Sequence, residues 1–157
     1  MAVRPVPEGY STVTPYLIVS GAAAAIDYYK KAFGATELMR FGTPDGKVAH
    51  AEIQIGGSRM MLADENPEQG YRSPRSLGGS GTGIMLYLDD VDAVFTRAIE
   101  SGARVHQPVQ DQFYGDRSGT LIDPFGHMWT VATHVEDVSE EEMERRMRAM
   151  AGAQTAS

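Results

Sequence analysis

The chain has 157 residues, 42% of them hydrophobic, and a formal charge of −7 from fourteen Lys and Arg against twenty-one Asp and Glu; that is core enough for one domain and rules out a basic nucleic-acid footprint over the whole surface. The absence of cysteine excludes disulfides, thiolate metal sites and cysteine nucleophiles. No apolar run approaches the roughly 18 residues of a membrane span, and the start MAVRPVPEGY has no signal-peptide core, so a cytoplasmic protein that binds neither membrane nor nucleic acid is expected.

Pro5, Pro7 and Gly9 make the first ten residues an irregular arm. Residues 12–20 (TVTPYLIVS) have the β-branched and aromatic content of a strand, with Pro15 pointing to an edge or a bulge. Residues 22–33 (AAAAIDYYKKAF) switch to helix chemistry, with Ile26, Tyr29 and Phe33 at helical spacing and Gly34 placed to end the helix. Strands are predicted at 36–41, 47–55 and 58–63. The middle one alternates Ala49, Ala51, Ile53 and Ile55 with His50, Glu52 and Gln54, and Gly56-Gly57 makes the hairpin turn after it. Residues 65–81, rich in Gly, Pro, Ser and Arg, form a long linker of the kind that is mobile or serves as a lid.

The second half repeats the order. It gives an apolar strand at 82–89, a helix at 90–101 with Val91, Val94, Phe95 and Ile99 on its apolar face, and a short strand at 103–107. A strand at 112–123 interrupted at Gly115 and a last one at 127–133 flank the turn Asp123-Pro124-Phe125-Gly126. Phe33-Gly34-Ala35 and Ser101-Gly102-Ala103 lie 68 residues apart, and Gly57 and Gly126 lie 69 apart. Near-constant spacing across helix ends and hairpins means two copies of one βαβββ unit. Residues 139–150 (SEEEMERRMRAM) form a final helix opened by the capping pair Ser139 and Glu142, with a narrow stripe of Met143, Met147 and Met150. That stripe docks on the protein's own body, a sister subunit or a partner.

The paired units, with the strings AIDYYKKAFGA, HAEIQIG and DPFGHMWTVATH, resemble the vicinal oxygen chelate superfamily of glyoxalase, bleomycin-resistance and extradiol-dioxygenase proteins, and within it the PhnB-type branch. The resemblance covers roughly 11–138. It implies an α+β fold in which modules 11–64 and 82–134, joined by the 65–81 linker, curl a mixed sheet around a pocket. The domain would be 1–138, followed by a helix and tail at 139–157. It also implies a homodimer, with modules pairing within one chain or between two. The family's metal ligands fall on the first and fourth strands of each module, which here are Thr14, Met61, Gly83 and Thr130. None offers the imidazole or carboxylate that a divalent first-row metal wants, and their sequence neighbours do not either. The expectation is a small-molecule binder without the ancestral metal.

Of the chemistry-bearing residues, His50 and Glu52 stand two apart on one strand face, close enough to converge on one ligand group or, with a third donor, on a metal. Tyr16 is a candidate aromatic wall on the face of Thr14. Tyr114 and Arg117 form a candidate rim, where Arg117 forks onto an anionic ligand or is neutralised by Asp116 or Asp123. His134 shares the parity of Thr130 and is placed to look into the pocket from the strand end. His127, after the Pro-Phe-Gly turn, suits tying down a loop, Trp129 suits the core, and His106 suits an exposed edge. The Gly78–Gly83 stretch lacks the lysine and the following helix of a phosphate loop, and no glycine-rich loop suits a nucleotide-like methyl donor.

The candidate ligand-binding set is therefore Tyr16, His50, Glu52, Tyr114, Arg117 and His134, with no cofactor assigned and a divalent metal as the alternative. In that alternative, a lyase or dioxygenase holds a relocated metal at His50 and Glu52 with a third ligand such as His134. A third reading is a metal-free enzyme with His50 or Glu52 as base.

Overall fold

The computed structural model describes residues 2–156; Met1 and Ser157, the outer ends of the expected domain and tail, lie outside it. The first module runs β1 (Tyr16–Val19), α1 (Ala22–Phe33), β2 (Thr36–Gly42), β3 (Val48–Ile55) and β4 (Ser58–Asp64). A linker with a short 3₁₀ turn and a one-turn helix α2 (Pro74–Leu77) leads to β5 (Gly83–Tyr87), α3 (Val91–Glu100), β6 (Arg104–Asp111), β7 (Asp116–Ile122) and β8 (Met128–His134), and α4 (Glu140–Gln154) follows. Each module folds into its own four-stranded sheet, ordered β1-β4-β3-β2 and β5-β8-β7-β6. The first and fourth strands pair parallel and the others antiparallel. This is the α+β architecture of paired βαβββ modules that the sequence pattern predicts.

The repeat persists at the level of single residues. Tyr16 lies opposite Met61, and Met85, 69 positions on, lies opposite Thr130. At the helix entries, an Asp64 carboxylate oxygen accepts from the backbone N–H groups of Gly21 and Ala22 at 2.8 and 2.9 Å. The Thr133 hydroxyl accepts from Val91 N–H at 3.0 Å. Both side chains satisfy donors that a helix start leaves open. The third strands step by 68 instead, with Glu52 opposite Met61 and Thr120 opposite Thr130. The paired positions are nine residues apart across the tight Gly56-Gly57 turn and ten apart across the second module's turn, one residue more.

One face of each sheet meets the helices. Leu17, Val19, Ala51, Ile53 and Leu62 are buried in the first module, and Leu121, Trp129 and Val131 in the second. The two modules share this core, because the Phe33 and Tyr29 rings of α1 lie 4.7 and 5.2 Å, centroid to centroid, from Trp129 of β8. At the join the buried Asp123 carboxylate accepts from the Tyr29 hydroxyl at 2.6 Å and Trp129 Nε1 at 2.8 Å. It also accepts from the backbone N–H groups of Phe125 and His127 at 2.8 and 3.0 Å. Four donors make this buried carboxylate tolerable. Burial first, then Asp123, pushes the Tyr29 phenol well up. His127 ties down a loop as expected: its Nε2 lies 3.0 Å from the Ile18 carbonyl oxygen.

Several element bounds differ from the sequence pattern for local reasons. β1 starts after Pro15, whose carbonyl still accepts from Met61 N–H at 2.9 Å, since proline can accept from a ladder but not donate to it. β6 runs past Pro108 to Asp111 as an edge strand, with its register shifting between Gln107 and Gln110. The segment before β7 is a turn, not a strand. Gly115 there has φ 100°, and its carbonyl receives the N–H groups of Val135 and Glu136 at 2.9 and 3.0 Å, an approach that a side chain would block. α4 extends to Gln154, beyond the expected 150, and buries no residue. Its Arg146 fastens it to the Phe113 carbonyl and to Glu136.

Candidate functional site

The alternation in β3 turns Ala51, Ile53 and Ile55 towards α1 and leaves His50, Glu52 and Gln54 on the open face. Register carries that face across the sheet to Phe41 and Met39 of β2, Met61 of β4 and Tyr16 of β1. On it the Tyr16 hydroxyl lies 2.8 Å from His50 Nδ1, and His50 Nε2 lies 3.2 Å from a Glu52 carboxylate oxygen. Phe41 stacks near the other side of the imidazole at 6.5 Å. Tyr16, His50 and Glu52, expected to share a pocket, form one hydrogen-bonded chain.

The N-terminal arm closes one end of this face. The Arg59 guanidinium donates to the Glu8 carbonyl at 3.1 Å and sits 5.3 Å from the centre of the Tyr10 ring. Gly9, with φ 82°, packs where a side chain would strike Arg59. The enclosed Tyr10 hydroxyl has no partner at ideal hydrogen-bond geometry, yet it faces Glu52. Enclosure first, and Glu52 second, push Tyr10 up to about 12. In return the Tyr10 hydroxyl, and after it His50, hold Glu52 below the usual carboxylate range against the opposing effect of burial. Glu52 is thus an ionised acceptor. Burial, with smaller contributions from Tyr71 and Glu52, raises Tyr16, which therefore stays a phenol.

At the other end the face opens into a cavity of about 780 Å³. Its walls are Tyr16 and Ile18, the β2–β3 turn around Asp45 and Lys47, and the linker from Glu65 to Tyr71. The volume is that of an ordinary small-molecule site. The linker is pinned, because Glu65 accepts from Ser73 N–H at 2.7 Å, and the hydroxyls of Ser73 and Ser76 hold its carboxyl down to about 2. Sequence reasoning missed Tyr10, Arg59, Lys47 and Tyr71. For Tyr10 and Tyr71 the only signal was that an arm and a linker rich in turn formers must pack somewhere; Arg59 on β4 and Lys47 at the β2–β3 turn gave none.

The remaining candidates lie elsewhere. His134 belongs to the second sheet, where Nδ1 is 2.7 Å from Asp116 and Nε2 is 2.9 Å from Asp137. The buried Asp116 also accepts from the Tyr87 hydroxyl at 2.9 Å. With both ring nitrogens against carboxylates, hydrogen bonding to Asp116 first and Asp137 second raises the imidazole. Tyr114 packs edge-on against Phe113 in the turn before β7. Arg117 turns to the helix side. It forks onto Asp92 of α3 at 2.8 and 2.9 Å and reaches Asp111 at 3.2 Å, so the neutralising carboxylates are these and not Asp116 or Asp123.

The four positions implied as metal ligands do not fit a metal. The Thr14 hydroxyl donates to the Ser11 carbonyl, the Thr130 hydroxyl bonds Thr120, Gly83 has no side chain and Met61 is a thioether. Nor does His134 join His50 and Glu52, because both its nitrogens are engaged in the other module.

Comparison with known proteins supplies the family. The profile described as Glyoxalase/Bleomycin resistance protein/Dioxygenase superfamily matches residues 11–131. An uncharacterized protein of Mycobacterium tuberculosis is 46% identical over 138 residues, covering 86% of this chain and 81% of that one. The crystal structure of TioX from Micromonospora superposes with a TM-score of 0.61 at 26% identity, over 82% of this chain and 100% of that one. The PhnB protein of Bacillus cereus superposes at 0.62 with 16% identity, over 78% and 99%, a likeness of fold alone. No helix among the described residues is long and apolar enough to cross a membrane.

Proposed function

The chain belongs to the Glyoxalase/Bleomycin resistance protein/Dioxygenase superfamily, and from that membership we propose that it binds a small organic ligand on the open face of its first module, without a metal at the family's inherited positions. The observation that carries this is the Tyr16–His50–Glu52 chain at the mouth of the 780 Å³ cavity, whose walls mix apolar and aromatic side chains such as Ile18, Val48 and Tyr71 with polar ones, the acidic Asp45 and Glu68 among them. The PhnB-type branch is part of the reading, supported by the strings that resemble it and by the shared fold. So is a homodimer. Phe41 on the first open face and Met85 and Tyr87 on the second are 57%, 44% and 60% exposed, which suits a second copy covering them.

The test is native mass spectrometry of protein purified without chelator, together with elemental analysis and sedimentation. The expected result is a co-purifying organic molecule that is lost from His50→Ala, with metal well below one equivalent and a dimeric mass. Stoichiometric zinc, nickel, iron or manganese that disappears in His50→Ala would defeat the reading and restore the relocated metal centre.

A further inference from the structure

His50 cannot meet a ligand directly without breaking a bond, because one ring nitrogen faces Tyr16 and the other faces Glu52. Of the three linked side chains only Tyr16 lines the cavity, and it is 46% exposed. What the chain does to a ligand therefore passes through the Tyr16 hydroxyl.

The direction of the hydrogen bonds follows from the chemistry of the two ends. An ionised carboxylate is acceptor-only, so His50 Nε2 must carry the proton that bonds Glu52. In the neutral ring Nδ1 is then a bare lone pair, and the Tyr16 hydroxyl donates to it. Turning the ring over would put carbon atoms against both partners. With its only proton committed to Nδ1, Tyr16 has only lone pairs left for the cavity.

We propose that Glu52 and His50 act as positioning residues that fix Tyr16 as a hydrogen-bond acceptor at the cavity wall, so that the ligand presents an N–H or O–H donor at this point. The inference rests on the ligand-binding reading above and adds to it the polarity of one ligand group. Tyr71, Lys47 and the carboxylate-bearing Asp45, Asp64, Glu65 and Glu68 also line the cavity and bound the space in which that donor must sit. A ligand that covers Tyr16 without offering a donor displaces water from an acceptor and leaves it unpaired, so the site discriminates against the analogue that lacks one.

Two measurements on the full chain test this. The first is the ¹⁵N spectrum of His50 in ligand-free protein at about pH 8.5, where imidazole is ordinarily neutral. Protonation at Nε2 with a hydrogen-bonded, bare Nδ1 is expected, and the Nδ1 signal should move in Tyr16→Phe while Nε2 stays protonated. A proton on Nδ1 overturns the proposal. The second is a chemical-shift titration with indole and with 1-methylindole, which differ in a single donor. Indole should bind about five- to tenfold more tightly, and the preference should vanish in Tyr16→Phe. Equal binding of the two, or a preference that survives in Tyr16→Phe, overturns this inference while leaving the cavity reading intact. If neither compound perturbs Tyr71 or Ala49, the cavity reading fails and takes the inference with it.

Discussion

The two modules share a backbone plan but place their polar chemistry at opposite stations on it. By register, His50 and Glu52 of the first sheet correspond to Ser118 and Thr120 of the second. There the facing side chains are small, neutral and buried, and Thr120 simply bonds Thr130. A histidine of the second module instead sits at the last position of β8, where His134 clamps Asp116 and the segment leading to α4. The first module therefore keeps a polar chain in mid-sheet beside a cavity, whereas the second uses the same residue types to lock a chain end. A duplicated scaffold leaves each copy free to specialise, because backbone register constrains the helix-facing positions far more than the open-face ones.

The contrast can be broken most forcefully at the join the modules share. Asp123→Ala should cost about 3–5 kcal/mol of unfolding free energy, since it strands the Tyr29 hydroxyl and Trp129 N–H in the core. A urea titration would show it. A loss under about 1 kcal/mol would mean that the modules do not depend on this junction. Next come the helix entries. Asp64→Ala removes the acceptor for Gly21, Ala22 and Val48 N–H groups, while Thr133→Val removes the one serving Val91 and its own donation to the Leu88 carbonyl. Each should cost about 1–2 kcal/mol. Comparable losses in the two would show that the repeat is energetic as well as geometric, and a silent Thr133→Val would confine the device to the first module.

Much of the fold was legible because helix-facing positions obey periodicity. α1 has the predicted bounds of 22–33, and the 69-residue step seen in the sequence recurs in the strand registers. The site was legible only in part. Tyr16, His50 and Glu52 could be put on one face from strand parity, but Arg117 could not be assigned, since its partners Asp92 and Asp111 lie on other elements. His134 had the right parity and the wrong neighbours. Whether a strand-end histidine faces a ligand or a carboxylate depends on how the following residues fold back, here through Asp137, and periodicity says nothing about that. Tyr10 and Arg59 escaped for a similar reason: an arm without repeating pattern shows no docking place until the sheet exists.

A subtler contrast between the modules should appear in their response to pH, because their clusters are held by groups of opposite kind. In the first, Glu52 is held below its ordinary range by Tyr10 and then His50. Its contribution is complete above the unfolded carboxylate value of about 4.3 and fades as pH falls through the lower folded value. In the second, His134 is raised by Asp116 and then Asp137. A raised imidazole stabilises the fold fully below its unfolded value of about 6.5 and loses that stabilisation as pH rises through the folded one. His134→Gln keeps a polar side chain but no titration. The stability difference between wild type and His134→Gln should be greatest under mildly acidic conditions and shrink on the alkaline side, whereas Glu52→Gln should show no such trend there. A difference for His134→Gln that stays level from about pH 5 to 9 would mean that the strand-end clamp works without its charge, and the division of labour between the modules would then rest on shape alone.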